Sequence, residues 1–179
     1  GSLPKYSGAC YTRWGRSLCP ATSKLIYKGI MASPDYTATG GGANYLCLPD
    51  DPQYNLKKQT AIGVHTSMRA VWYQSAHSES NNIQGSVYAN RAPCAVCEAE
   101  QRVTQVMIPA KTNCPSDWVL EYEGFIMSQA EHHSTNSDSF LPDTEDFRGT
   151  YICVDENMES HGSKITSQEG SPNYMVRAA

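Results

Sequence analysis

Seven cysteines are the residues of this 179-residue chain best equipped to do chemistry: Cys10, Cys19, Cys47, Cys94, Cys97, Cys114 and Cys153. A thiol serves as nucleophile, metal ligand or half of a disulfide. Cys94-Ala95-Val96-Cys97 has the spacing of a dithiol redox motif, in which a helix N-terminus lowers the pKa of the attacking thiol. Pro93 precedes it and its surroundings do not read as a helix. A zinc site needs further ligands of matching spacing, and there is no second Cys-x-x-Cys. Structural disulfides are therefore expected, and with them a secreted protein. An odd count leaves one thiol that is free, bonded to another chain, or widowed by a cysteine outside this sequence.

The other reactive side chains form no comparable pattern. The histidines are His65, His77, His132, His133 and His161, and none stands in a His-Glu-x-x-His frame. His132-His133 with Glu131 and Asp138 could assemble a metal or acid–base site, but neighbours on a strand point to opposite faces, which favours a solvated loop. There is no Gly-x-Ser-x-Gly elbow and no phosphate loop with a following Lys, and Gly40-Gly41-Gly42 reads as a turn. Catalysis has no positive support, and no enzyme is expected.

Composition sets the frame in which these residues work. With 40% hydrophobic and 18% charged residues the chain is an ordinary globular protein of one or two small domains. No apolar run approaches the roughly 18 to 20 residues of a bilayer span, no signal peptide opens the chain, and membrane insertion is not expected. The 14 Lys and Arg are scattered among 18 Asp and Glu, for a net charge of −4, which argues against nucleic acid as a partner.

The organising feature is an internal repeat. Cys19-Pro20, Leu25, Tyr27, Gly29 and Ser33 recur 95 residues later as Cys114-Pro115, Leu120, Tyr122, Gly124 and Ser128. Tyr45-Leu46-Cys47-Leu48 answers Tyr151-Ile152-Cys153-Val154 at an offset of 106, so the second copy carries an eleven-residue insertion, placed within 130–147. Gly85-Ser86 and Arg91-Ala92 are likewise echoed by Gly170-Ser171 and Arg177-Ala178. Copy one then runs into Cys94-x-x-Cys97, whereas the counterpart would begin at the end of this sequence, and a C-terminal piece is expected to be lacking. The implied organisation is a tail at 1–9, a first repeat at 10–97 and a second at 98–179.

Strands and loops are expected rather than helices. Residues 24–30, 71–73, 103–108, 118–127 and 151–154 carry β-branched and aromatic residues without a sustained helical period, while Pro49-Asp50-Asp51-Pro52 and the polar stretch 75–82 read as turns or loops. The fold class that follows is all-β, in two tandem pseudo-symmetric halves, each too small to be comfortable without covalent staples.

Two groups of polar residues are candidate sites. Asp50-Asp51 and Asp155-Glu156 follow the matched cysteines, and carboxylates in that setting are weak candidates for calcium, the alternative being polar turns that end strands. Tyr11, Arg13, Trp14 and Arg16 form an aromatic and cationic cluster suited to a protein interface or to sugar faces, or else a strand end whose Arg residues pair internally.

The segments Cys94-Ala95-Val96-Cys97-Glu98-Ala99, Val106-Met107-Ile108-Pro109 and Cys114-Pro115-Ser116-Asp117-Trp118 resemble the middle of the type IV collagen C-terminal non-collagenous domain, itself two tandem copies. Tyr11-Thr12-Arg13-Trp14-Gly15-Arg16, residues 40–48 and Cys153-Val154-Asp155-Glu156-Asn157 are closer still to the C-terminal domain of short-chain, spongin-type collagens of invertebrates. The chain departs from both in lacking a final Cys-x-x-Cys, in having Cys10 and in having no Gly-x-y run. The resemblance implies disulfides Cys19–Cys97 and Cys47–Cys94. It deprives Cys114 and Cys153 of their usual partners, which leaves them to bond each other with Cys10 as the odd thiol. It also implies an extracellular assembly domain that associates with copies of itself or with matrix protein, needing no cofactor. A free-standing lectin that binds glycans is the alternative, favoured by the missing Gly-x-y run.

Overall fold

The computed structural model of the protein describes residues 8–35, 42–53, 68–74, 87–129, 149–162 and 170–175. Among these there is no helix, and eight strands account for the regular structure. They are β1 (Gly8–Trp14), β2 (Ser23–Pro34), β3 (Leu46–Pro49), β4 (Met68–Tyr73), β5 (Pro93–Glu100), β6 (Gly124–Gln129), β7 (Ile152–Asp155) and β8 (Gly170–Met175). All belong to one sheet of order β3-β2-β4-β8-β6-β7-β1-β5, and because β5 also pairs with β2 the sheet nearly closes on itself. The all-β expectation holds. Two strand assignments do not: residues 103–108 and the first part of 118–127 belong to no strand. The polar stretch 75–82 and the insertion at 130–147 lie outside the described residues.

β5 is the centre of the first repeat. It runs antiparallel to β1 on one side and β2 on the other, with Cys97 between Tyr11 and Leu25 and Cys94 between Trp14 and Gly29. Small or apolar residues fill its inward positions, Pro93, Cys94, Ala95, Cys97 and Ala99 all being buried, while Glu98 is half-buried and Glu100 exposed. In β1 burial alternates, placing Ala9 and Tyr11 inward and Cys10 outward. Cys19–Cys97 fastens the segment between β1 and β2 onto β5, and Cys47–Cys94 fastens β3 onto it, with Cα separations of 5.8 and 5.7 Å. Loops of this length would each contribute about 4 kcal/mol on the chain-entropy estimate.

Two hairpin-like pairs carry the repeat. In the first, Gly29, Ile30, Met31 and Ala32 oppose Pro49, Leu48, Cys47 and Leu46. In the second, Gly124, Phe125, Ile126 and Met127 oppose Asp155, Val154, Cys153 and Ile152, the residues 95 and 106 positions further along. Each pair comes together at a glycine for one reason. A Cβ on Gly29 would lie 1.7 Å from the Leu48 carbonyl oxygen, and one on Gly124 would lie 1.9 Å from the Val154 carbonyl oxygen.

The repeats also share a core. Met31, Cys47, Val71, Tyr73 and Cys94 pack with Met127, Ile152 and Val154 in one buried cluster, flanked by Trp14 and Phe125. Parallel pairings join the copies, β4 with β8 and Trp14 with Val154, whereas the described strand-to-strand ladders within each copy are antiparallel. Parallel neighbours cannot be linked by a tight turn, so these contacts arise between segments remote in sequence.

Candidate functional site

The aromatic and cationic cluster lies at the end of β1, where the chain passes the residues that follow β7. Gly15 makes the turn there with a φ of +88°, and its amide donates to the Pro93 carbonyl at 2.9 Å. A Cβ at Gly15 would lie 2.7 Å from Val154 Cγ1, so close approach as well as backbone conformation favours glycine.

Arg13 reaches into the second repeat. Its Nε and Nη2 stand 2.8 and 2.7 Å from Asp155 Oδ2, and its Nη1 donates to the Leu18 carbonyl at 2.9 Å. The Asp155 side chain is 1% exposed and that of Arg13 14%. The other Asp155 oxygen, Oδ1, accepts from the Asn157 amide. The guanidinium also lies 5.9 Å from the centre of the Tyr122 ring, which stacks on Tyr11 at 6.3 Å. Tyr122 donates its hydroxyl to the Cys153 carbonyl at 2.9 Å.

Arg16 and Ser17 make a second clamp. Arg16 Nη1 lies 3.1 Å from Glu159 Oε1 and donates to the Asn157 carbonyl, while the Ser17 amide and hydroxyl both donate to Glu159 Oε2. Burial pushes the Glu159 carboxyl up, but the two Ser17 donors and the Arg16 charge outweigh it and hold it below the ordinary range. Tyr11 donates its hydroxyl to Glu121 Oε2 at 3.0 Å, and burial together with that carboxylate pushes its pKa up to about 12. Trp14 packs against Tyr45 with ring centres 6.2 Å apart.

Of the four interface or ligand candidates Tyr11 is buried, and Arg13, Trp14 and Arg16 are partly exposed, Arg16 at 28%. Tyr11 bonds Glu121, Arg13 pairs with Asp155 and Arg16 with Glu159, while the buried Arg16 Nε has no hydrogen-bond partner among the described residues. Glu121, Tyr122 and Glu159, which hold the cluster, were missed because nothing about a lone acid or tyrosine marks it as a partner for residues more than a hundred positions away.

The acidic candidates separate. Asp155 faces Arg13, while Asp50 Oδ1 lies 3.8 Å from His161 Nε2 and Asp51 is exposed. Glu156 is exposed and accepts from the Asn157 side-chain amide. Among the described residues no three His, Cys, Asp or Glu converge as a metal site would require. His65, His77, His132 and His133 lie outside the described residues.

Of the cysteine expectations, Cys19–Cys97 and Cys47–Cys94 are present. The Cys114–Cys153 bond is corrected: both residues are unbonded, as is Cys10, which is exposed. The physical reason lies in the first repeat, where the counterparts Cys19 and Cys47 each bond β5 and not one another. Burial and the nearby Asp155 push the Cys153 thiol up to about 11.

Among the described residues no helix is long and apolar enough to cross a membrane. No family model matches the chain, and no solved structure matches it.

Proposed function

We propose that this protein is a non-catalytic, extracellular assembly domain, in the manner of the collagen C-terminal domains it resembles, and that it associates with copies of itself. The observation that carries the reading is the apolar margin of the sheet. β3 is the terminal strand, and while Cys47 points inward, Leu46 and Leu48 on its other face are exposed, as are Leu25, Ile26 and Tyr27 on β2. Exposed apolar side chains beside a strand edge offer both a hydrophobic patch and unpaired backbone groups to another chain. Two disulfides fit an oxidising compartment.

Two halves related by a pseudo-twofold axis belong to the same reading. The equal registers at Gly29 and Gly124 support it. A glycan-binding role would draw on Tyr11, Arg13, Trp14 and Arg16, of which Tyr11 and Arg13 are held by Glu121 and Asp155 within the molecule.

Light scattering across a concentration series tests the proposal. The wild-type chain is expected to exceed the monomer mass, and Leu46→Glu with Leu48→Glu to return it to monomer without altering the circular dichroism spectrum. A wild-type monomer at every concentration, or an oligomer indifferent to both substitutions, overturns it.

A further inference from the structure

We propose that the first repeat carries a cleft for an extended acidic segment of a partner protein, and that residues 157–161 fill it in the free molecule as an exchangeable stand-in.

The second repeat sends this strap across the first. The chain leaves β7 through a turn at Glu156 and Asn157, whose amides donate to the Glu123 carbonyl and to Asp155 Oδ1. Residues 158–161 then belong to no strand, and they are held as a separate peptide would be. The Glu159 amide donates to the Gly15 carbonyl at 2.9 Å and the His161 amide to the Arg91 carbonyl at 2.8 Å. The Asn157 carbonyl accepts from Arg16, and Met158 packs on the margin of the shared core. In the recognition of extended peptides, main-chain bonds at alternate residues supply affinity and seated side chains supply specificity.

The carboxylate is the anchor. Both Glu159 oxygens are engaged, Oε1 by Arg16 Nη1 and Oε2 by the amide and hydroxyl of Ser17. A main-chain N–H, a hydroxyl and a guanidinium aimed at one carboxylate make a receptor for that group, whichever chain supplies it.

The strap is held less firmly than its neighbour. Arg13 and Asp155 form a pair nearly sealed from water, whereas Arg16 and Glu159 are 28% and 30% exposed and no residue of 156–162 is buried. The fit is also incomplete. Among the described residues Arg16 Nε and the hydroxyl of the fully buried Tyr73 have no hydrogen-bond partner, and that hydroxyl lies 3.2 Å from where a Gly15 Cβ would stand. Buried donors left unpaired oppose closure, and opening returns them to water. Gly162 follows the strap at a φ of +75°, with nothing within 4 Å of an added Cβ, which suits a hinge.

The strap specifies the partner segment by its own chemistry, an apolar residue followed directly by a glutamate, as in Met158-Glu159. Because the strap is tethered, it competes at a high effective concentration and keeps the cleft closed to weak ligands.

The test frees the cleft in the full chain with Met158→Gly and Glu159→Gly. The fluorescent peptide Glu-Asn-Met-Glu-Ser-His-Gly then reports binding by anisotropy. The double variant is expected to bind it at least about tenfold more tightly than the wild type, whose cleft is filled. Glutamine for the central glutamate of the peptide, or Arg16→Gln in the variant, should each weaken binding about tenfold, the worth of a charge-assisted bond. In the wild type, hydrogen exchange at the Glu159 and His161 amides should be on the order of a hundredfold faster than in β7, as expected of a segment that opens locally. If the variant does not fold, this exchange measurement decides alone. No binding to the folded variant, equal binding by the wild type, indifference to the glutamate or to Arg16, or strap amides as protected as those of β7 each overturns the proposal. Competition by the unlabelled wild-type chain also overturns it, since the cleft would then belong to the strap of a second copy. None of these readouts is an oligomer mass, so the assembly reading stands or falls separately.

Discussion

Arg13 Nη2 lies 2.7 Å from Asp155 Oδ2, joining the end of β1 to the end of β7 through a carboxylate that is 1% exposed. Removing one member of such a pair leaves a buried charge without compensation. Asp155→Ala is therefore expected to lower stability by about 3 to 5 kcal/mol. In urea denaturation Arg13→Met with Asp155→Leu should cost clearly less than the sum of the single substitutions. Additive effects would show that the two groups do not act as a pair.

The close approaches at Gly29 and Gly124 predict matched outcomes in the two repeats. An added Cβ would meet the Leu48 or Val154 carbonyl oxygen at 1.7 or 1.9 Å, so backbone must move in either case. Gly29→Ala and Gly124→Ala should each destabilise by about 4 kcal/mol or more, the range of severe backbone and packing disruption. Gly42→Ala, which meets nothing within 4 Å, should change little. Thermal melts of the three variants decide the matter, and a tolerated substitution at Gly124 would contradict the register described.

Acid should loosen the second clamp. Glu159 in the folded protein titrates below its ordinary value of 4.5, so its contribution is fully present above that pH and is lost as pH falls through the lower folded value. Glu159→Gln should flatten the acid limb of a stability-versus-pH curve while leaving neutral stability only modestly reduced. An unchanged acid limb would remove Glu159 from this role.

The unbonded thiols should differ in reactivity. Cys10 is exposed, whereas Cys153 is partly buried beside Asp155 and raised to about 11. At pH 8 only about one Cys153 in a thousand is then thiolate, the species that reacts. Iodoacetamide should label Cys10 well ahead of Cys153, and labelling of Cys153 should quicken as pH rises towards 11. Mass-spectrometric time courses that found Cys153 the faster of the two would refute this.

Much of the fold was legible because its signals are local. β-Branched and aromatic runs mark β2, β4 and β7, and turn residues bound them. β5 was harder to see, since its alanines and cysteines have weak strand preference and are fitted to burial between two neighbours. The opposite error occurred at 103–108 and 118–123, whose residues favour strands but lack a partner strand in the structure. Strand preference describes fitness for a pleated neighbour, and without the neighbour there is no ladder.

The sequence by itself determined the all-β class, the repeat with its 95-residue offset, and, through family resemblance, the two disulfides onto β5. Tertiary structure decided the rest. It set β4 parallel to β8, brought Asp155 to Arg13 and Glu159 to Arg16, and left Cys114 and Cys153 unbonded. Periodicity and turn chemistry act over a few residues and can be read along the chain. An ion pair spanning 142 positions, as between Arg13 and Asp155, depends on how the closing sheet carries one strand end past another, and no local pattern encodes that.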